Sequence, residues 1–152
     1  MGVNVRWDSE GQSTLRFTLT GAWTWPQMHK ALTLAAAMVK GVPHEVGAII
    51  DISAGLHVPG DNLFLPDNTE QITILLNRSR GRRGPIVVVG ADVEARIMYD
   101  CLRMIDSRVG TRVYFTATLD EARAHLEQHE HIPGARPGAD LRTTQSSPSI
   151  RI

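Results

Sequence analysis

Two short apolar runs constrain the fold of this chain more than any other feature. Residues 46–52 are apolar almost throughout, with Asp51 as the interruption, and residues 86–89 are Ile-Val-Val-Val. Strands that are apolar on both sides are typical of the centre of a parallel sheet, because helices cover both faces there. We therefore predict that these runs form two adjacent, parallel, central strands.

The first forty residues predict a hairpin followed by a helix. Apolar and polar residues alternate in two segments on either side of a turn at Glu10 and Gly11, which is typical of half-buried antiparallel strands. Their apolar positions are Val3, Val5 and Trp7 in the first segment and Leu15, Phe17 and Leu19 in the second. Thr24 and Gln27 have the spacing of a capping box, which predicts a helix that begins there and ends near Gly41.

The rest of the chain alternates between helices and strands. A Gly- and Pro-rich loop at residues 53–66 precedes a helix that carries a basic stretch, and a final short strand and helix follow residue 112. Between them we predict an amphipathic helix after the second buried strand. Its predicted apolar stripe consists of Val93, Ile97, Cys101, Leu102 and Ile105. The element order is β-β-α-β-α-β-α-β-α, an α/β fold with a mixed five-stranded sheet and flanking helices.

Composition indicates one domain at residues 1–129 and a flexible tail at residues 130–152, where Pro, Gly and Ser are frequent and apolar surface is scarce. Acidic and basic residues balance at 16 each, which argues against a nucleic-acid partner. Residues 1–7 contain no apolar stretch long enough for a signal peptide, and no run of roughly 18 apolar residues occurs, so we expect neither a signal peptide nor a membrane span. The single cysteine, Cys101, suits a reducing cytoplasm and, in the predicted stripe, a small hydrophobic role.

The element order and three segments resemble the STAS fold, and within it the SpoIIAA-like group. The segments are residues 48–53 (AIIDIS), residues 84–90 (GPIVVVG), and Phe115 with residues 118–122 (TLDEA). The resemblance covers about residues 3–128 and implies a non-enzymatic module that acts through protein contacts, as in anti-anti-sigma factors, stress-signalling complexes and anion-transporter domains. Some related folds bind nucleotides or lipids.

The resemblance also indicates a candidate phosphoacceptor. Anti-anti-sigma members carry a phosphorylatable serine or threonine at the start of the helix after the third strand, commonly in an Asp-Ser-Ser context. The matching region here reads Pro-Asp-Asn-Thr at residues 66–69, which departs from that context and leaves Thr69 as the candidate. A phosphate at a helix N-terminus would meet free N–H groups and the positive end of the helix dipole.

Ligands of open α/β sheets bind outside the carboxyl ends of the parallel strands. That rule selects Asp51, Ser53, His57 and Asp92 as a candidate ligand or partner site, with Gly90 and Thr116 at the same edge. We predict no catalytic residues, because no Gly-x-Ser-x-Gly motif is present to expose a serine. The structural alternative is that Asp51 and Ser53 cap backbone groups and Asp92 caps the following helix.

Two further clusters have charge or metal-binding potential. A candidate anion patch consists of Arg78, Arg80, Arg82 and Arg83; alternatively, these cations complement the dipole at a helix end. His125 and His129 are four residues apart and share a helix face, a spacing that favours no more than adventitious binding of a divalent metal. We predict no resident metal and no cofactor.

Two functional hypotheses follow. The first is a STAS-like regulatory or scaffold module that acts through protein-protein contacts, with a homodimer as one form. The second is a small-ligand domain that binds a lipid or nucleotide, an apolar or phosphorylated molecule, in a pocket under the 53–66 loop and beside the tryptophan-rich start of the first helix. Ser53 or His57 would orient that ligand. The identity of the protein partner is left open by the sequence.

Overall fold

A computed structural model describes residues 2–76, 84–108 and 112–134, and these form one mixed sheet and four α-helices. The strands are β1 (Gly2–Trp7), β2 (Thr14–Thr20), β3 (Gly47–Asp51), β4 (Ile86–Val89) and β5 (Val113–Thr116). The helices are α1 (Trp25–Val39), α2 (Pro66–Leu76), α3 (Val93–Ile105) and α4 (Leu119–Gly134). A short 3-10 turn at Pro59–Asp61 interrupts the long loop. The predicted element order is confirmed.

The sheet has the spatial order β1-β2-β3-β4-β5. Strands β1 and β2 form the predicted antiparallel hairpin, and every later pair is parallel. Ile49 of β3 lies opposite Val87 of β4, and both side chains are 0% exposed. The prediction of two adjacent, parallel, buried central strands is therefore confirmed.

The main core lies on one face of the sheet. The three parallel connections all advance in the same direction, from β2 to β5, and right-handed crossovers of that kind place their helices on the same side. Side chains of α1 and α3 accordingly share one buried cluster with the sheet, and Ile72 of α2 packs against it. Members of the cluster include Leu15, Phe17, Ile86, Val88, Met28, Ala35, Met98 and Leu102.

Side-chain caps start the helices where the sequence predicts. The Thr24 hydroxyl accepts from the Gln27 N–H at 3.3 Å, and the Gln27 side chain accepts from the Thr24 N–H at 2.9 Å. Asp92 accepts from the Ala95 N–H at 2.9 Å and begins α3. Each cap satisfies backbone donors that a helix leaves free in its first turn.

The predicted orientation of α3 is wrong. Met98 and Leu102 are its buried residues, whereas Val93 is 72% exposed, Ile97 47% and Ile105 82%. Cys101 is also exposed, so it is not the buried hydrophobe that the sequence suggested. The helix carries apolar residues on two opposite sides, and helical periodicity alone does not tell which of two apolar sides faces the core.

The C-terminal helix extends beyond the predicted end of the domain at residue 129. It runs to Gly134, so the first residues assigned to the tail are helical, while residues 135–152 lie outside the described part. The chain separates into two compact units, Met1–Ala122 and Arg123–Ile152, and the described portion of the second is the rest of α4. Among the residues that the structure describes, no helix is long and apolar enough to cross a membrane.

Candidate functional site

The carboxyl edge of the sheet is closed by a tight turn after β3. The Ser53 N–H and hydroxyl both donate to Asp51 Oδ1, at 3.0 and 2.5 Å. Gly90 lies directly behind this turn with φ +80°, and a Cβ added there would come within 2.6 Å of the Ser53 Cα. The carboxylate of Asp51 therefore holds the local backbone, as the structural alternative predicted.

The other two candidates at this edge also have local contacts. His57 is exposed, forms an isolated bridge with Ala22, and its ring lies so close to Gly55 that an added Cβ would be 2.8 Å from His57 Nε2. Asp92 caps α3. Within the described residues no hydrogen bond or ion pair joins His57 to Asp51 or Ser53. A role for these residues in binding a ligand or partner stays a prediction.

Thr69 is the fourth residue of α2, and its N–H donates to the Leu65 carbonyl at 2.9 Å. The Thr69 N–H is therefore already bonded, and a phosphate on Thr69 would have to be bound by the N–H groups of Asp67 and Asn68 in the first turn. Phosphorylation of Thr69 stays a prediction.

The arginine patch and part of the histidine cluster lie outside the described residues. These are Arg78, Arg80, Arg82 and Arg83, and the side chain of His129. Where side chains are described, no group of three or more His, Cys, Asp or Glu has the arrangement of a metal site.

Asn68 is a buried polar residue that sequence reasoning missed. It is 2% exposed, and its Oδ1 accepts from the Trp25 indole N–H at 2.7 Å. Its Nδ2 donates to the carbonyl oxygens of Pro59 (2.9 Å) and Asn62 (2.8 Å). The amide thus ties the 53–66 loop to the N-terminal turns of α1 and α2, which gives that long loop a structural anchor.

The space beneath the loop is a small apolar cavity of about 100 Å³. Trp23, Trp25 and Leu63 are among its walls, but Ser53 and His57, which the sequence suggested as orienting groups, do not line it. Pockets that hold small ligands usually measure about 300–1,000 Å³. This space is smaller than most ligand pockets, and the binding of a lipid or nucleotide beneath the loop stays a prediction.

A larger groove of about 440 Å³ lies at the opposite edge, where the parallel strands begin. Apolar side chains of α1, the sheet and the end of α2 form its walls, and among the described lining residues His44 is the only titratable one. His44 Nε2 lies 2.9 Å from the Gln12 carbonyl, so this nitrogen carries the hydrogen and Nδ1 is left to meet a ligand. The lining includes Leu15, Leu32, Ala35, Val39, Ala48, Ile50, Leu75 and Ile86. Sequence patterns identify these residues as core and do not reveal a gap between them.

An ion pair links two loops at the same edge of the sheet, just before β3 and β5. Arg112 donates two hydrogen bonds of 3.0 Å to the carboxylate of Glu45, and this bidentate contact raises the pKa of Arg112 above its usual value. Both side chains are partly exposed, so the pair contributes little to stability.

The outer side of α3 is an exposed apolar surface, which we call the α3 stripe. Its members are Val93 (72% exposed), Ile97 (47%), Met104 (86%), Ile105 (82%) and the exposed Cys101. Asp100 is exposed beside them, and the Arg96 guanidinium lies 5.0 Å from the centre of the Phe115 ring. Large apolar side chains rarely cluster in this way on a helix that meets only water.

Comparison of the chain with protein-family models gives no match, and comparison with curated proteins gives none either. The candidate surfaces are therefore interpreted from their own geometry.

Proposed function

We propose that this chain is a STAS-like regulatory or scaffold module that acts through protein contacts and has no catalytic activity of its own. The observation that carries the proposal is the α3 stripe, where Val93, Met104 and Ile105 are each more than 70% exposed. Fully burying an apolar side chain of this size contributes about 1.5–3 kcal/mol. A partner that covers the stripe would gain several such contributions from one helix face.

Two further features support the proposal. The strand order, with one antiparallel strand ahead of four parallel ones, agrees with the topology that the STAS resemblance implies. At the carboxyl edge, Asp51 and Asp92 bond backbone N–H groups, a use that favours a structural over a catalytic role. We also propose a cytoplasmic location, because an exposed single thiol suits a reducing compartment.

Site-specific photo-crosslinking tests the proposal. With a benzophenone side chain in place of Met104, we expect discrete crosslinked species in cells, because this residue is the most exposed apolar side chain of the stripe, at 86%. The matched control replaces Lys30, an exposed residue of α1, and is expected to give no discrete adduct. Mass spectrometry of the adducts identifies the partner. The absence of adducts at position 104, or equal adducts at both positions, would contradict the proposal.

The groove of about 440 Å³ favours a second candidate function, the binding of an acyl ligand. Its walls suit a hydrocarbon chain, and His44 Nδ1 would meet the polar head of the ligand at the rim. We expect a fluorescent fatty acid to bind the wild-type protein and to bind an Ala35→Leu variant at least about tenfold more weakly, since the added methyl groups fill the groove.

Ala36 supplies the matched control, because it is the next residue of α1 and is exposed, whereas Ala35 is buried and lines the groove. Ala36→Leu is expected to leave the titration unchanged. Equal affinity in the two variants, or no saturable binding by the wild-type protein, would count against an acyl site in this groove.

A further inference from the structure

We infer that the α3 stripe pairs with the same stripe on a second copy of this chain, with the two α3 helices antiparallel about a two-fold axis. This inference rests on the proposed function and specifies its partner. It follows from the arrangement of charge within the stripe.

The stripe contains a carboxylate near its centre. At about 100° per residue, Val93, Ile97, Asp100 and Met104 all fall within about 60° of one another on α3. Leu102 of the buried face lies on the opposite side of the helix. Any partner that covers the apolar residues must therefore also cover Asp100.

Asp100 restricts which partner fits. Its carboxylate forms no hydrogen bond or ion pair with any residue in the described part of the chain. A charge that is buried without a counter-charge is costly, so a purely apolar partner surface is disfavoured. A partner surface that presents a cation to Asp100 from beside the apolar seam is therefore favoured.

A second copy presents that cation. An antiparallel two-fold axis that crosses α3 between Met98 and Tyr99 places Val93 opposite Met104 of the other copy. The axis also fixes which sides of the two helices lie next to each other. The side of α3 that flanks the stripe in one copy lies beside the same side of α3 in the other copy. Arg96 and Asp100 share the flank on the Tyr99 side, so Arg96 of each copy comes next to Asp100 of the other.

The local contacts of Arg96 are compatible with this pairing. Its guanidinium lies 5.0 Å from the centre of the Phe115 ring, a stacking distance that leaves N–H groups at the edge of the guanidinium plane to donate to a carboxylate. A parallel arrangement would instead place the Arg96 and Asp100 flanks of the two copies on opposite sides of the seam, out of reach of each other. The charge pattern therefore selects the antiparallel dimer.

The size of the surface sets the strength of the dimer. Helix α3 has 13 residues and is about 20 Å long, so one stripe covers less than the roughly 800 Å² per partner of a standard interface. We expect a dimer that forms with increasing concentration and dissociates on dilution.

Sedimentation across a concentration series tests the inference through charge reversal. Asp100→Arg and Arg96→Asp are each expected to weaken self-association at least about tenfold, because each places like charges together. The double variant restores opposite charges and is expected to recover the wild-type constant within about threefold. Asp67→Arg, at an exposed residue of α2, is the control and leaves association unchanged.

The alkylation rate of Cys101 provides a second measurement of self-association in the wild-type protein. Cys101 lies at the margin of the seam, so its alkylation rate is expected to fall as the protein concentration rises. Because Arg96→Asp also removes the contact with Phe115, circular dichroism checks the fold of each variant. Asp100→Arg removes no described contact, so its effect on self-association is a sufficient test by itself.

The outcomes separate the inference from the proposed function. A wild-type protein that stays monomeric, or an Asp100→Arg variant that associates like wild type, would overturn the α3 dimer. If a crosslink at position 104 then identifies a different protein, the proposed function stands with another partner. Absence of both the dimer and the crosslink would overturn both.

Discussion

Replacement of Gly90 by alanine is expected to destabilise the protein by about 3 kcal/mol, from two effects that act together. The first is the backbone conformation, because φ at this position is +80°, a region that a side chain disfavours by about 1–2 kcal/mol. The second is steric, because the new Cβ would lie 2.6 Å from the Ser53 Cα and 2.7 Å from its Cβ. These atoms belong to Ser53, whose backbone N–H is bonded to Asp51, so little room is left for relaxation.

Gly41 separates the two effects. Its φ is +87°, yet a Cβ added there meets no atom within 4 Å. Gly41→Ala is therefore expected to lose only the conformational contribution of about 1–2 kcal/mol. Urea unfolding followed by tryptophan fluorescence measures both variants, since Trp23 and Trp25 are buried in the native state. Equal losses for the two variants would show that the close approach to Ser53 has no energetic consequence.

The sequence predicts the strands and helices well because local patterns determine them. Alternation of apolar residues indicated the hairpin, the apolar runs around Ile49 and Val87 indicated the central strands, and capping residues such as Thr24 and Asp92 marked the helix starts. Each of these signals depends on neighbours within a few residues. The mixed five-stranded α/β architecture follows from them together with the preference for right-handed crossovers.

The candidate surfaces are harder to predict because they depend on residues far apart in the chain. Helix α3 is apolar on two sides, and only the packing of Met98 and Leu102 against the sheet decides that Val93 and Met104 face outward. The groove likewise depends on long-range packing, because it is the space left between lining residues such as Leu32 of α1 and Ile50 of β3. A sequence pattern identifies such residues as apolar and contains no measure of the volume that they leave.

Asn68 shows how one buried amide can be mistaken for an ordinary polar residue at a helix start. Truncation to alanine is expected to cost about 3–4 kcal/mol, because it leaves the buried Trp25 indole N–H without its acceptor and removes the two hydrogen bonds from Asn68 to the carbonyls of Pro59 and Asn62. The loop of residues 53–66 would then lose its link to α1 and α2. A domain of typical stability would retain only a small margin.

Asn62→Ala is the matched control for Asn68→Ala. Its side chain accepts one hydrogen bond from the Phe64 N–H at 2.9 Å and is exposed, so a loss of less than about 1 kcal/mol is expected. A double-mutant cycle with Trp25→Phe isolates the indole contact, for which we expect a coupling of about 1–2 kcal/mol. Similar losses for the two asparagine variants, measured by urea unfolding, would contradict the anchoring role. A large difference would show that Asn68 anchors this long loop.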